Sequence, residues 1–335
     1  MSSGSEMNAR YWKSHGDKVI CRLCPHNCII IKEQSGFCGV RKNVDGRLES
    51  LSYGKAVSVN IDPIEKKPMY HFLPGSKSLS IGTVGCNLKC LHCQNWEIST
   101  TSPGQIKELD LPPEVVVQLA IDKGCESISY TYNEPTIFHE YATDIAKIAR
   151  SKGIKNVIVT NGYISEEAAN DFCQVMDGAN IDLKAFSDNF YKEVCKASLQ
   201  PVLNAIKKYH ERIWIEITNL IIEEKNDSLD EIERMCKWIK ENAGVDTPIH
   251  FSRSFPMHKM KNINPTPEDT LLKAKEIAGN YLNYVYVGNV NLEDCLDTFC
   301  PACKKLVIAR SGGGEKELSM SGRCSCGEKI MGVWD

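Results

Sequence analysis

The sequence predicts an α/β fold built on a parallel sheet, either open or closed into a barrel. Two observations carry that expectation. Short apolar or β-branched runs alternate with helix-length amphipathic segments through the middle of the chain. At 335 residues, with 42% hydrophobic and 25% charged, the chain is also long enough to bury a large core and too apolar to be disordered.

The strand-like runs are 78–84, 127–132, 156–160, 179–183, 213–218, 248–251 and 284–287. They lack polar alternation, as strands covered on both faces do. The helical patterns between them span 112–123, 136–152, 165–176, 188–196, 200–210, 229–242 and 267–278. Ser165 ahead of Glu166 and Glu167, and Thr266 ahead of Pro267, are start signals. Repeated β-then-α units imply right-handed crossovers. The expected organisation is an N-terminal cysteine module and lead-in (1–77), the β/α core (78–297) and a C-terminal module (298–335) that contains the loop Gly312–Gly314.

A formal net charge of −3 argues against a protein-wide basic footprint for nucleic acid. No apolar run approaches the roughly 18 residues of a membrane span. Met1 to Arg10 lacks the apolar centre of a signal peptide, so a cytoplasmic location without membrane association is expected.

Sixteen cysteines stand out in this composition. A chain with its own core needs no disulfide staples, and a cytosol keeps thiols reduced. Cys125, Cys173, Cys195, Cys236 and Cys295 are scattered and expected to be buried structural thiols; the other eleven fall into three tight clusters, the pattern of metal or iron–sulfur ligands.

The middle cluster, Cys86, Cys90 and Cys93, follows directly on the first strand of the core with Cys-x3-Cys-x2-Cys spacing. Such a loop can wrap three corners of a [4Fe–4S] cube and leave one iron free of protein ligands. An open position is what a catalytic metal site keeps for substrate or cofactor. The competing expectation is a zinc site that borrows a fourth ligand, such as His92.

This loop resembles that of the radical S-adenosylmethionine (SAM) superfamily, Cys-x3-Cys-x-aromatic-Cys, with His92 standing where an aromatic ring is usual. The resemblance implies a partial TIM-type, (β/α)6-like barrel with the cluster loop after its first strand. It implies that SAM chelates the open iron and that one electron cleaves it to a 5′-deoxyadenosyl radical that abstracts hydrogen. Tyr132-Asn133-Glu134-Pro135 stands where the superfamily often shows Gly-Gly-Glu-Pro. By that similarity Glu134 accepts a hydrogen bond from the SAM ammonium, His92 stacks on adenine and Asn133 lines the SAM backbone. Thr160-Asn161-Gly162 and Asp182-Leu183-Lys184 look like triplets of the glycyl-radical-enzyme activases, so Thr160, Asn161, Asp182 and Lys184 are expected at SAM or substrate. Glu216, His250 and Arg253 are further polar groups on later strands where a ligand would lie, and Lys66 or Lys67 is a candidate substrate contact.

A wider set of motifs spans nearly the whole chain: Cys21-x2-Cys24-Pro25-His26-x-Cys28, Gly36 to Arg41, Asp62 to Pro68, His71 to Gly75, the cluster loop, and the terminal Gly332-Val333-Trp334. Together they resemble the radical SAM enzyme of the AmmeMemoRadiSam system, which implies AMMECR-type and Memo-type partner proteins. The chemistry calls for a flavodoxin- or ferredoxin-type electron donor. The substrate stays open among a small molecule, a protein and RNA.

Cys300, Cys303, Cys324 and Cys326 look like a zinc ribbon, and Lys304, Lys305, Arg310, Lys316, Arg323 and Lys329 add local positive charge. Cys21, Cys24, Cys28 and Cys38 suffice for one more centre, zinc or iron–sulfur. Alternatives to a hydrogen-abstracting enzyme with a substrate of its own are a glycyl-radical-enzyme activase and a non-catalytic zinc-dependent binding module.

Overall fold

The computed structural model describes residues 7–310, 316–317 and 322–335. Gly312–Gly314 lies outside the described residues. The core is one eight-stranded sheet. Its first strand, β1 (Ser58–Pro63), runs antiparallel along β2 (Lys77–Gly82). From β2 on the sheet is parallel: β3 (Ser127–Tyr130), β4 (Lys155–Thr160), β5 (Gly178–Asp182), β6 (Trp214–Ile221), β7 (Ile249–Arg253) and β8 (Val285–Gly288), in chain order. Six crossover helices join them: α1 (Pro113–Asp122), α2 (His139–Ser151), α3 (Glu166–Val175), α4 (Leu199–His210), α5 (Leu229–Ala243) and α6 (Glu268–Gly279). The sheet order has two ends, β8 and β1, so the barrel is partial.

Each helix buries one stripe on the sheet. In α4 the buried residues Val202, Leu203, Ala205, Ile206 and Tyr209 recur at helical spacing, while Lys207, Lys208 and His210 sit in its last turn, where positive charge suits the helix dipole. Ser165 caps α3 by accepting the Ala168 N–H. Thr266 does not cap α6. Its hydroxyl instead donates to Ile221 O and accepts from Ser254 N, tying β6 to the segment after β7.

Two further departures from the sequence pattern matter for the site. The segment 188–196 is not one helix: a short turn, Asp188–Phe190, runs into a π-helical turn, Tyr191–Cys195. The first parallel strand ends at Gly82, not at residue 84, because Thr83, Val84 and Gly85 peel away to start the cysteine loop. A Cβ at Gly82 would lie 2.9 Å from Thr131 O.

The lead-in 64–73 fills the barrel interior. Met69 and Phe72 are fully buried with Ile64 and Val157, and a Cβ on Gly178, at the start of β5, would meet both Met69 and Phe72 at 3.0 Å. This apolar plug sits at the amino ends of the strands and leaves the carboxyl ends open. The C-terminal strands Thr298–Phe299, Leu306–Ala309 and Lys316–Glu317 form a small antiparallel sheet. Val307, Ile308 and Ile330 pack there against Tyr284 and Tyr286. No helix among the described residues is long and apolar enough to cross a membrane.

Candidate active site at the barrel mouth

A cavity of about 380 Å3 opens at the carboxyl ends of the parallel strands, where barrel enzymes place their chemistry. Cys86, Cys90 and Cys93 line it, and so do His92, Asn133, Glu134, Asn161, Asp182 and Lys184. Residues from four different strand ends therefore converge on one hollow.

The loop is held from several sides. Asn133 accepts the Thr83 N–H at 3.1 Å and donates to Gly85 O at 3.0 Å, fixing where the chain leaves β2. Asn87 donates to Tyr163 O and accepts from Asn161, at 2.7 and 2.9 Å. The π-helical turn clamps the far side: Lys89 N and Leu91 N donate to Cys195 O and Val194 O at 2.9 and 3.0 Å. Such turns collect at functional sites because the extra residue re-aims neighbouring groups. Cys195 lies beside Cys90 and, together with burial, raises the Cys90 thiol, so it backs the cysteine loop without lining the cavity. Only the backbone path shows this; no spacing rule links residue 195 to residue 90.

Glu134 is buried with both oxygens engaged. Oε1 accepts from Thr136 N and the Thr160 hydroxyl at 2.9 and 2.7 Å, and Oε2 accepts from Asn161 N at 2.7 Å. Burial nevertheless raises its carboxyl above the ordinary value. An ammonium group entering the cavity would relieve that cost. Thr160 is thus a support behind Glu134 and does not line the cavity. Lys184 pairs with Asp182 at 3.0 Å, and Tyr191 OH accepts the Lys184 N–H.

Glu216 and His250, expected at the cofactor, are not among the residues that line the cavity. They face each other at 2.7 Å deeper in the barrel. Glu216 also accepts from Tyr70 N, His71 N and the Trp214 indole, so its carboxylate is used up in pinning the plug. Arg253 is likewise engaged elsewhere, with Thr266 O and Glu268. Lys66 and Lys67, the candidate substrate contacts, do line the cavity together with Tyr132, Lys66 exposed and Lys67 buried. Burial opposes its charge, yet hydrogen bonds from Lys67 and Lys66 hold the Asp62 carboxyl down to about 2, and Lys67 lies 5.0 Å over the Tyr132 ring.

The three thiols fit a cubane better than one ion. Among the described residues, Cys300, Cys303, Cys324 and Cys326 are the only group of three or more that brings metal-type ligand atoms within 4.8 Å of one another. Their closest sulfur pairs are 3.7 and 3.5 Å apart. Tetrahedral zinc, with Zn–S near 2.3 Å, calls for sulfurs about 3.8 Å apart. That quartet could hold a single metal ion. The wider trio at the barrel mouth suits thiolates that each ligate a different iron. His92 offers no fourth ligand in this arrangement. Its ring is buried, its pKa is pushed down to about 3 by burial and the nearby Lys184 charge, and its Nδ1 has no hydrogen-bond partner. An unpartnered buried nitrogen on a cavity wall suits a bound molecule that completes it.

Residues 80–239 match the family model of the radical SAM superfamily. The chain is 43% identical over 326 residues to MJ0808, an uncharacterized protein of Methanocaldococcus jannaschii, covering 96% of this chain and 97% of that one. It is 24% identical to the pyruvate formate-lyase-activating enzyme of Clostridium pasteurianum over 168 residues, 48% of this chain and 69% of that one. A structure of TYW1 with a lysine-pyruvate adduct bound superposes with a TM-score of 0.50 at 17% identity, covering 71% of this chain and 87% of that one, a likeness of fold. The superfamily works with a [4Fe–4S] cluster and SAM, and the cysteine trio and the cavity fit both. With its core matching that model, the chain is a radical SAM enzyme and belongs to the radical SAM superfamily.

Proposed function

We propose that Cys86, Cys90 and Cys93 hold a [4Fe–4S] cluster with one open iron, and that SAM lies across the cavity from it toward Asn133, Glu134, Asn161, Asp182 and Lys184. With an electron from a flavodoxin- or ferredoxin-type donor, cluster and SAM together supply a 5′-deoxyadenosyl radical for hydrogen abstraction. The residues of the chain do the rest. Glu134, desolvated and oriented by three donors, takes the SAM ammonium. His92 offers its free Nδ1 to the adenine. The plug below and the clamped loop above keep water from the reacting atoms.

The observation that carries this reading is the convergence of three thiols and the buried Glu134 carboxylate on one cavity. Lys66, Lys67 and Tyr132 line the path of an incoming substrate, and the one positive charge left after Asp62 pairs with both lysines favours an anionic or polar one. The motifs along the whole chain support action alongside AMMECR-type and Memo-type partners. Zinc suits the C-terminal quartet, by its sulfur spacing. The likeness to an activase supports a second reading, in which the hydrogen comes from a glycine of a partner protein.

The test is SAM binding by the reduced, reconstituted protein, followed by electron paramagnetic resonance. SAM changes the cluster signal in the unaltered chain, and Glu134→Ala weakens SAM binding at least about tenfold, roughly 1.4 kcal/mol. A cluster signal indifferent to SAM would refute the reading. Added AMMECR-type protein, or a glycyl-radical partner, then identifies which source of hydrogen quenches the radical.

A further inference from the structure

We infer that Cys21, Cys24, Cys28 and Cys38 hold a second [4Fe–4S] cluster, ligated at every iron and packed against the loop of Cys86, Cys90 and Cys93, to which it passes an electron. The contact between clusters rests on the proposed role of that loop; the metal assignment does not. All four thiols line one small hollow, otherwise walled by apolar side chains such as Leu23, Ile30 and Ile137.

Sulfur spacing selects the cluster over a single ion. The C-terminal quartet gathers its sulfurs as one tetrahedral ion requires. Among the described residues no three of the N-terminal thiols, with or without His26, lie within 4.8 Å of one another. Thiolates that face a common centre yet stand wider apart are what a cube requires, each on its own iron. The surroundings suit a low-dielectric cluster with a negative charge. Phe37 N–H donates to Cys28 Sγ at 3.4 Å. The Arg41 guanidinium, fully buried on the cavity wall, has an Nε without a hydrogen-bond partner. Hydrogen bonds to sulfur and neighbouring charge set the potential of such clusters.

The two cysteine loops meet backbone to backbone at Gly85 and Cys38. Gly85, at φ +84°, lies so close that a Cβ would stand 2.5 Å from Cys38 O. On the other side His26 Nε2 meets Asn87 O at 2.7 Å, and Asn87, next to Cys86, itself lines the N-terminal hollow. An external flavodoxin- or ferredoxin-type donor gives up one electron to the N-terminal cluster, which passes the same electron on and returns to its oxidised state.

The experiment compares the intact chain with Cys86→Ala/Cys90→Ala/Cys93→Ala after anaerobic reconstitution, measuring iron, sulfide, zinc and electron paramagnetic resonance. The inference predicts about eight irons in the intact chain and about four in the variant, four per cube. The variant's signal is indifferent to SAM, and the fully reduced intact chain shows two magnetically coupled clusters. A variant with no iron and a second zinc would overturn the assignment, as would an intact chain with about four irons and two zincs. Two uncoupled signals would overturn the contact. About four irons in both proteins would uphold the N-terminal cluster and remove the barrel-mouth one.

Discussion

Arg41 and Glu140 form a doubly hydrogen-bonded ion pair, 3.0 Å on each arm, with both side chains 2% exposed. The pair joins the N-terminal strand Arg41–Val44 to α2 of the barrel, and Arg41 also donates to Arg10 O at 2.6 Å. It therefore holds the N-terminal cysteines in place beside the barrel mouth. Burial opposes the charge on Glu140, but Arg41 outweighs it and lowers the carboxyl below its ordinary value. The sign follows: the pair's contribution is full above the ordinary carboxyl value of about 4.5 and is lost as pH falls through the lower folded value. Glu140→Gln leaves a buried, uncompensated guanidinium and costs about 3–5 kcal/mol at neutral pH. Denaturant unfolding across pH 3 to 7 checks this. The variant's stability should be low throughout and change less on acidification than that of the intact chain.

The C-terminal quartet predicts a second outcome. A metal held there would brace a small sheet that packs on Tyr284 and Tyr286, and the segment after it clips onto the plug, Leu73 N to Val333 O and Val333 N to His71 O, both at 2.8 Å. Strong chelation, or Cys303→Ser with Cys326→Ser, removes one metal ion per chain and exposes 298–335 to protease. The local loss is on the order of several kcal/mol, since binding energy serves as folding energy in so small a unit. Elemental analysis with limited proteolysis reads both effects. Unchanged protease resistance in the metal-free protein would count against the role.

Phe72, fully buried at the closed end of the barrel, predicts a third. Phe72→Ala costs about 3–5 kcal/mol by cavity formation. The plug lies at the opposite end from the thiols, so iron content should not change. Denaturant midpoints and iron assays on the same samples separate the two.

Much of the core was legible because its signals are local. Runs of buried residues marked all seven parallel strands to within a few positions, and the cysteine loop follows β2 directly in sequence. Asn133, Glu134, Asn161, Asp182 and Lys184 stand at strand ends, so strand order alone brings them to one mouth. What escaped depends on distant partners. Nothing near Glu216 shows that its carboxylate meets the backbone of residues 70 and 71, some 145 positions away, and so faces the plug and not the cofactor. Polar residues on barrel strands point inward at every level, and only the lead-in decides which levels stay open. The antiparallel β1 was missed because three of its six residues are polar and none is buried. Metal type was undecided for a related reason: sequence spacing puts thiols near one another, but the separation of their sulfurs is set by the folded loops.

The measurement that tests the central claim most directly is 5′-deoxyadenosine formation from SAM under strong reductant, by the intact chain and by Cys86→Ala/Cys90→Ala/Cys93→Ala. The account predicts 5′-deoxyadenosine from the intact chain and none above background from the variant. Equal yields from both, or none from an intact chain carrying its full iron, would contradict it.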